Sequence, residues 1–223
     1  MQSLQKQHFV SSINFVVIMA LLLSVGCSKV YYNTMEKFGV HKREIMIDRI
    51  RETKESQQEG EKQFVDSIEA IKSLTNFEGG DLEKTYDKFK KEYEKSKNAA
   101  DEITHHIDQV EEVSEDLFRE WKKELKKYSR KDLRDRSEDQ LESTKEKYKD
   151  LMEAMREAER KTQPILSVMQ DQVLFLKHNL NARAINSIKA DLRNIDSEVD
   201  SLIRSMKKSI REAGEFIEEM NAQ

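Results

Sequence analysis

Apolar residues recur along most of the chain in alternating steps of three and four. The clearest series is Leu82, Tyr86, Phe89, Tyr93, Ser96, Ala100, Ile103, Ile107, Val110, Ser114, Leu117 and Trp121, and it reaches Tyr128. At 3.6 residues per turn such spacing puts every member on one stripe of an α-helix. It predicts a helix over about 81–130, roughly 70 Å long. Gly79-Gly80-Asp81 reads as the preceding turn, with Asp81 placed to cap. Lys126, Lys127, Arg130 and Lys131 close the series, where cations favour the helix dipole.

A second series runs Leu141, Thr144, Tyr148, Leu151, Met155, Ala158, Thr162, Ile165, Met169, Val173, Leu176. It predicts a helix over about 134–178, with Ser137 and Gln140 as a capping box and a kink or local break at Pro164. His178 to Asn181 reads as a turn, with Asn181 capping the next helix. The last series is Ile185, Ile188, Leu192, Ile195, Val199, Leu202, Met206, Ile210, Ala213, Ile217, Met220, a helix over about 182–221. The first helix, about 32–75, is the least regular. Its core positions fall on residues such as Gln57 and Glu61, beside Gly60.

Four helices of similar length with short connections predict an all-α fold. The expected architecture is an elongated antiparallel four-helix bundle or coiled coil with long helices. Periodicity alone suits a monomeric bundle and an oligomer equally. Counting back from the turns sets Gln57–Glu61 against Ser96–Ala100, Ala158–Thr162 and Ile195–Val199. Most of these residues are small or polar, so a loosely packed middle layer is expected.

Composition agrees with long helices that bury a narrow stripe. Of 223 residues, 37% are hydrophobic and 37% charged, with one Pro and six Gly, too few for a turn-rich β fold. The net charge of −4 comes from interspersed acids and bases, so no nucleic-acid partner is expected. The single cysteine excludes a disulfide within the chain.

That cysteine gives the amino terminus its meaning. Ile13 to Val25 is apolar apart from Asn14 and Ser24, the length of a signal-peptide core and short for a span of ~20 residues. It ends in Leu22-Leu23-Ser24-Val25-Gly26-Cys27. This resembles the bacterial lipobox, with Ser24 where leucine is usual. The resemblance implies a signal peptide over 1–26 and lipid on Cys27 that attaches the chain to a membrane; the four helical series then make 27–223 a single helical-bundle domain. Ser28, where an aspartate would signal inner-membrane retention, favours the outer membrane. The expected place is therefore the periplasmic face of a membrane in the cell envelope. The competing reading is an uncleaved signal anchor from Phe9 to Val25 on an inner-membrane coiled-coil oligomer.

Several segments together resemble a bacterial family known as domain of unknown function 2959. They are Tyr31-Tyr32, Met35-Glu36-Lys37, Gly39 to Arg43, Asn76 to Glu83, Leu117 to Trp121 and Asp171 to Ala182. The resemblance covers essentially 27–223. It implies a secreted, helical, often lipid-anchored protein and brings no activity, cofactor or catalytic residue.

Candidate chemistry is sparse. Glu102-Ile103-Thr104-His105 has the Glu-x-x-His spacing of di-iron bundles, but such sites need a second copy. His178 follows Phe175 rather than a glutamate. Adjacent His105 and His106 point about 100° apart and should flank the seam. His41 lies beside Lys42 and Arg43, where a basic contact with anionic headgroups is the alternative, but Glu36 and Glu44 dilute the cluster and favour a solvated face. There is no GxxxxGK phosphate loop, and an acylated Cys27 is no nucleophile. No catalytic residue, metal or cofactor is expected. Val173-Leu174-Phe175-Leu176 offers four apolar residues where a seam needs two, and a broad core is the favoured reading. The alternative is an exposed partner-binding tip formed by Phe77, Gly79, Gly80, Phe175, His178 and Asn179. The expected function is a noncatalytic structural or interaction protein, with a ligand- or metal-binding bundle as the alternative.

Overall fold

The computed structural model describes residues 42–76 and 81–222. Cys27, the segment before it, His41, Phe77, Gly79 and Gly80 lie outside the described residues. Residues 1–45 and 46–223 form separate compact units. Of the first, only the four residues that begin the first helix are described.

Four helices and no strand occur among the described residues. They are α1 (Lys42–Thr75), α2 (Leu82–Glu124), α3 (Lys131–His178) and α4 (Ala182–Ala222). A 3₁₀ turn, Leu125–Lys127, follows α2. Side-chain contacts fix the directions. Ser67 meets Ser96 while Glu52 approaches His106, so α2 runs opposite to α1. Arg156 binds Asp108 and Tyr148 packs on Phe118, so α3 opposes α2. Lys161 reaches Ser205 and Lys147 reaches Glu219, so α4 opposes α3. Lys72–Asp196 and Lys207–Glu61 close the ring between α4 and α1. The arrangement is an up-down-up-down bundle.

The α2 and α3 seams follow the sequence pattern closely, with Phe89, Ile103, Ile107, Leu151, Met155, Ile165 and Leu176 essentially buried. The α1 seam is as regular as these, though its chemistry hides it. Met46, Ile50, Thr53, Gln57, Gly60, Phe64, Ser67, Ile71 and Leu74 are all buried and are spaced four and three throughout. Glu61 sits beside the seam, half-buried. In α4 the seam leaves the apolar series after Met206. It passes through Ser209 and Phe216, both buried, while Ile210 and Ile217 are half-buried. The strict alternation of three and four carries on through 206, 209, 213, 216 and 220, whereas the apolar series takes two successive steps of four. Geometry outranks hydrophobicity at those two positions.

Boundaries depart from expectation where capping decides them. Asp81 caps α2 as expected, its carboxylate accepting from the Lys84 N–H at 3.2 Å. The proposed Ser137–Gln140 box does not form, because α3 already begins at Lys131 after an extended Arg130. Asp132 holds the first turn, paired with Arg130, whose hydrogen bond lowers the Asp132 pKa. Ser137 instead accepts a hydrogen bond from the Trp121 indole at 2.9 Å, and Trp121 is half-buried rather than core. The second helix stops at Glu124, short of Tyr128. Helix α3 runs unbroken through Pro164. Pro164 and Arg160 are both exposed, so the Arg160 carbonyl that loses its N–H partner can be hydrated. Asn181 precedes α4, and its carbonyl accepts from the Ile185 N–H at 3.1 Å.

Register differs from the counted one. Glu61 pairs with Lys207, Gly60 faces Ile103 and Met206, and Lys161 meets Ser205. Ser96 lies opposite Ser67 instead, and Asp196 pairs with Lys72. The equal-count rule fails because it assumes that both connections contribute equally and that the helices are level.

Candidate functional site

Polar residues in the seams divide into two groups. Most are satisfied within the bundle. Thr53, Thr144 and Thr162 donate to carbonyls of their own helices at 2.8 Å, as does Ser114. Ser67 and Ser96 share a hydrogen bond of 2.5 Å across α1 and α2. Beside it, the Gln63 amide donates to the Glu92 carboxylate at 2.9 Å, and this bond is the main cause of a lowered Glu92 pKa.

Gln57 and Ser209 form the second group. Both are fully buried, and among the described residues neither the Gln57 amide atoms nor the Ser209 hydroxyl finds a hydrogen-bond partner. Glu61–Lys207 on one side and Lys54 beside Gly214 on the other bracket them at one level. Glu52–His106 and Gly60–Ile103 bracket the same level on α2. One turn away the packing is close. A methyl group on Gly60 would lie 2.7 Å from Ile103 Cδ1. The bundle is therefore tight at Gly60 and polar at Gln57, and the four segments counted into one loose layer do not meet at one level.

The histidines flank the seam. His105 is exposed, with Nε2 3.1 Å from the Gln109 amide nitrogen. His106 is half-buried between Glu52, 3.9 Å from Nδ1, and Glu102, 3.8 Å from Nε2. Glu102 thus approaches His106 and not His105. Among the described residues no group of three His, Cys, Asp or Glu side chains could hold a metal ion. Arg156 joins Asp108, Glu111 and Glu159. Burial opposes its charge, and the three carboxylate bonds outweigh it, so its pKa is raised.

At the α3–α4 turn the four-residue apolar run splits. Val173 and Leu176 are buried, whereas Leu174 is 52% and Phe175 42% exposed. The broad-core reading is thereby corrected, because a two-neighbour helix can bury only one stripe. His178 and Asn179 are exposed beside them. The Asn179 side chain donates to the Phe175 carbonyl at 3.0 Å and so closes the end of α3. Of the expected tip residues, Phe175, His178 and Asn179 lie together at one end, and Phe77, Gly79 and Gly80 are not described.

The model of a family described as "protein of unknown function (DUF2959)" matches residues 31–220. The chain belongs to this family. The match covers all four helices and confirms the resemblance read from the scattered segments. The family description carries no activity, so nothing in it assigns catalysis. No curated protein and no solved structure matches the chain.

One surface feature reaches beyond the four cations, Lys126, Lys127, Arg130 and Lys131, that the sequence pattern assigned to a helix end. Residues 122–136, spanning the α2–α3 connection, hold eight basic and three acidic residues. The remainder holds 31 basic and 40 acidic. Cations spread over two helix ends look dispersed in a linear reading, and the turn gathers them. A charge window across the expected connection would have found them.

Proposed function

We propose that this chain is a lipid-anchored helical bundle at the periplasmic face of a membrane, acting as a noncatalytic structural or interaction protein. The lipobox-like Leu22 to Cys27 segment carries the anchoring reading. Two acyl chains anchor stably where one holds only marginally. No helix among the described residues is long and apolar enough to cross a membrane. The polar surface and satisfied ion pairs of the helices support a binding rather than a chemical role. In the bacterial host, Cys27→Ser is expected to abolish palmitate labelling and the globomycin-sensitive processing step. Labelling that persists in the variant would sink the reading.

The end of α3 is the part of this protein that we assign to a partner. Leu174 and Phe175 expose apolar surface where a seam residue would be buried. A photo-crosslinking residue at Phe175 is expected to capture a discrete protein, with none captured from exposed Glu153, which lies mid-helix. Equal patterns from both positions would remove the tip from consideration.

A second reading is a bundle that takes a small polar ligand between its helices. The unpaired Gln57 amide and Ser209 hydroxyl favour it. Native mass spectrometry of the purified protein would show the ligand as an added mass that Gln57→Leu removes; an unliganded mass in the wild type would dismiss it.

A further inference from the structure

We infer that the α2–α3 connection is a second membrane-contact site, which binds anionic phospholipid headgroups and rests on the lipid-anchored reading above. Three observations carry it. The first is charge. The connection has a net charge of +5 in a chain of net −4. Lys126, Lys131 and Arg136 are exposed and make no ion pair with another described residue. Lys127, Arg130 and Arg134 pair only with exposed carboxylates of their own neighbourhood, and these pairs are weak in water.

The second is apolar surface placed among the cations. Tyr128 is 43% and Leu133 39% exposed, and both belong to the small set of exposed large hydrophobic residues described. An aromatic and an aliphatic side chain amid lysines suit the headgroup boundary, where the ring and chain enter the acyl region and the cations meet phosphates.

The third is position. Lys147 pairs with Glu219. From that level α4 has three residues left to Ala222, while α3 has sixteen back to Lys131. The hairpin therefore projects about 20 Å past the end of α4. It is held as a unit by the Trp121–Ser137 hydrogen bond, the Phe118–Tyr148 contact and buried Leu125. In the up-down-up-down order this is the end at which the chain enters the 46–223 unit, through Met46 of α1. Fourteen residues separate Cys27 from Lys42. Extended, they reach roughly 45–50 Å, enough for the hairpin to touch the same bilayer. A nucleic acid fits less well, because a long polyanion would also run along the acidic remainder, whereas a bilayer meets the hairpin end alone.

The test uses residues 28–223, which retain all four helices and every packing contact described. Cosedimentation is measured with vesicles of phosphatidylcholine and with equimolar phosphatidylcholine and phosphatidylglycerol. Binding is expected only to the anionic vesicles and should fall with salt. Lys126→Gln with Lys131→Gln should weaken it about thirtyfold. Tyr128→Ala with Leu133→Ala should weaken it further, with unchanged circular dichroism. Lys88→Gln with Lys90→Gln, exposed lysines toward the other end, should leave it intact. Absence of binding, equal binding to both vesicles, equal loss in both lysine pairs, or tighter binding to a short DNA duplex than to the anionic vesicles would overturn the proposal. Because the fragment begins after Cys27, the result is independent of its acylation. Failed palmitate labelling would overturn the anchor and leave the vesicle result standing.

Discussion

Gly60→Leu is expected to destabilise the bundle by about 2–3 kcal/mol, read as a lower midpoint in urea unfolding with unchanged slope. A single added carbon at Gly60 would already lie 2.7 Å from Ile103 Cδ1 and 3.6 Å from the Met206 terminal methyl. The four heavy atoms of a leucine side chain cannot be placed there without pushing α1 off both neighbours. Alanine is a gentler case, because Cδ1 is the far end of a flexible side chain. Its strain competes with a gain of ~1 kcal/mol in helix propensity. Pairing Gly60→Leu with Ile103→Ala makes the argument specific. Ile103→Ala alone should cost about 2–5 kcal/mol through its cavity. Filling that cavity from α1 should make the double variant more stable than the sum of the singles implies. Strict additivity would show that Gly60 tolerates a side chain by helix movement, and the close α1–α2 approach would lose its support.

Gln57→Leu is the opposite case, expected to stabilise by about 1–3 kcal/mol. Folding removes the Gln57 amide from water, and no described protein group takes the place of that water. An apolar side chain of similar size removes the penalty and adds to the seam between Thr53 and Gly60. Ser209→Ala should act in the same direction and less strongly. The two effects should not add, since the residues share one level. A raised midpoint in Gln57→Leu is the supporting result. A lowered one would mean that the amide is hydrogen-bonded in solution, as a bound small molecule or water would make it. A retained buried amide that weakens the fold fits a role in register or ligand capture better than one in stability.

Both effects lie where the sequence pattern is hardest to follow. Heptads of Leu, Ile, Val, Met and aromatic residues made α2 and α3 legible, because side chains that must leave water reveal the stripe they occupy. In α1 the same stripe is filled at Thr53, Gln57, Gly60 and Ser67. A pattern of polar and small residues looks irregular even though its spacing is perfect. In α4 two isoleucines next to Ser209 and Phe216 drew the seam one residue too far. The expected tip was partly visible as four consecutive apolar residues. Only the packing of α3 against its neighbours decided which two of them, Leu174 and Phe175, face outward.

The sequence by itself determined the class of fold, the number and approximate extent of the helices, the Asp81 cap and the family. Each follows from local periodicity, backbone chemistry or short segments of sequence. The tertiary structure decided register, the levels at which residues meet, the burial of Gln57 and Ser209, and the projection of the basic hairpin. These depend on how far each helix slides past the next. That offset is set by the sum of close contacts such as Gly60 on Ile103, and no single helix carries a record of it.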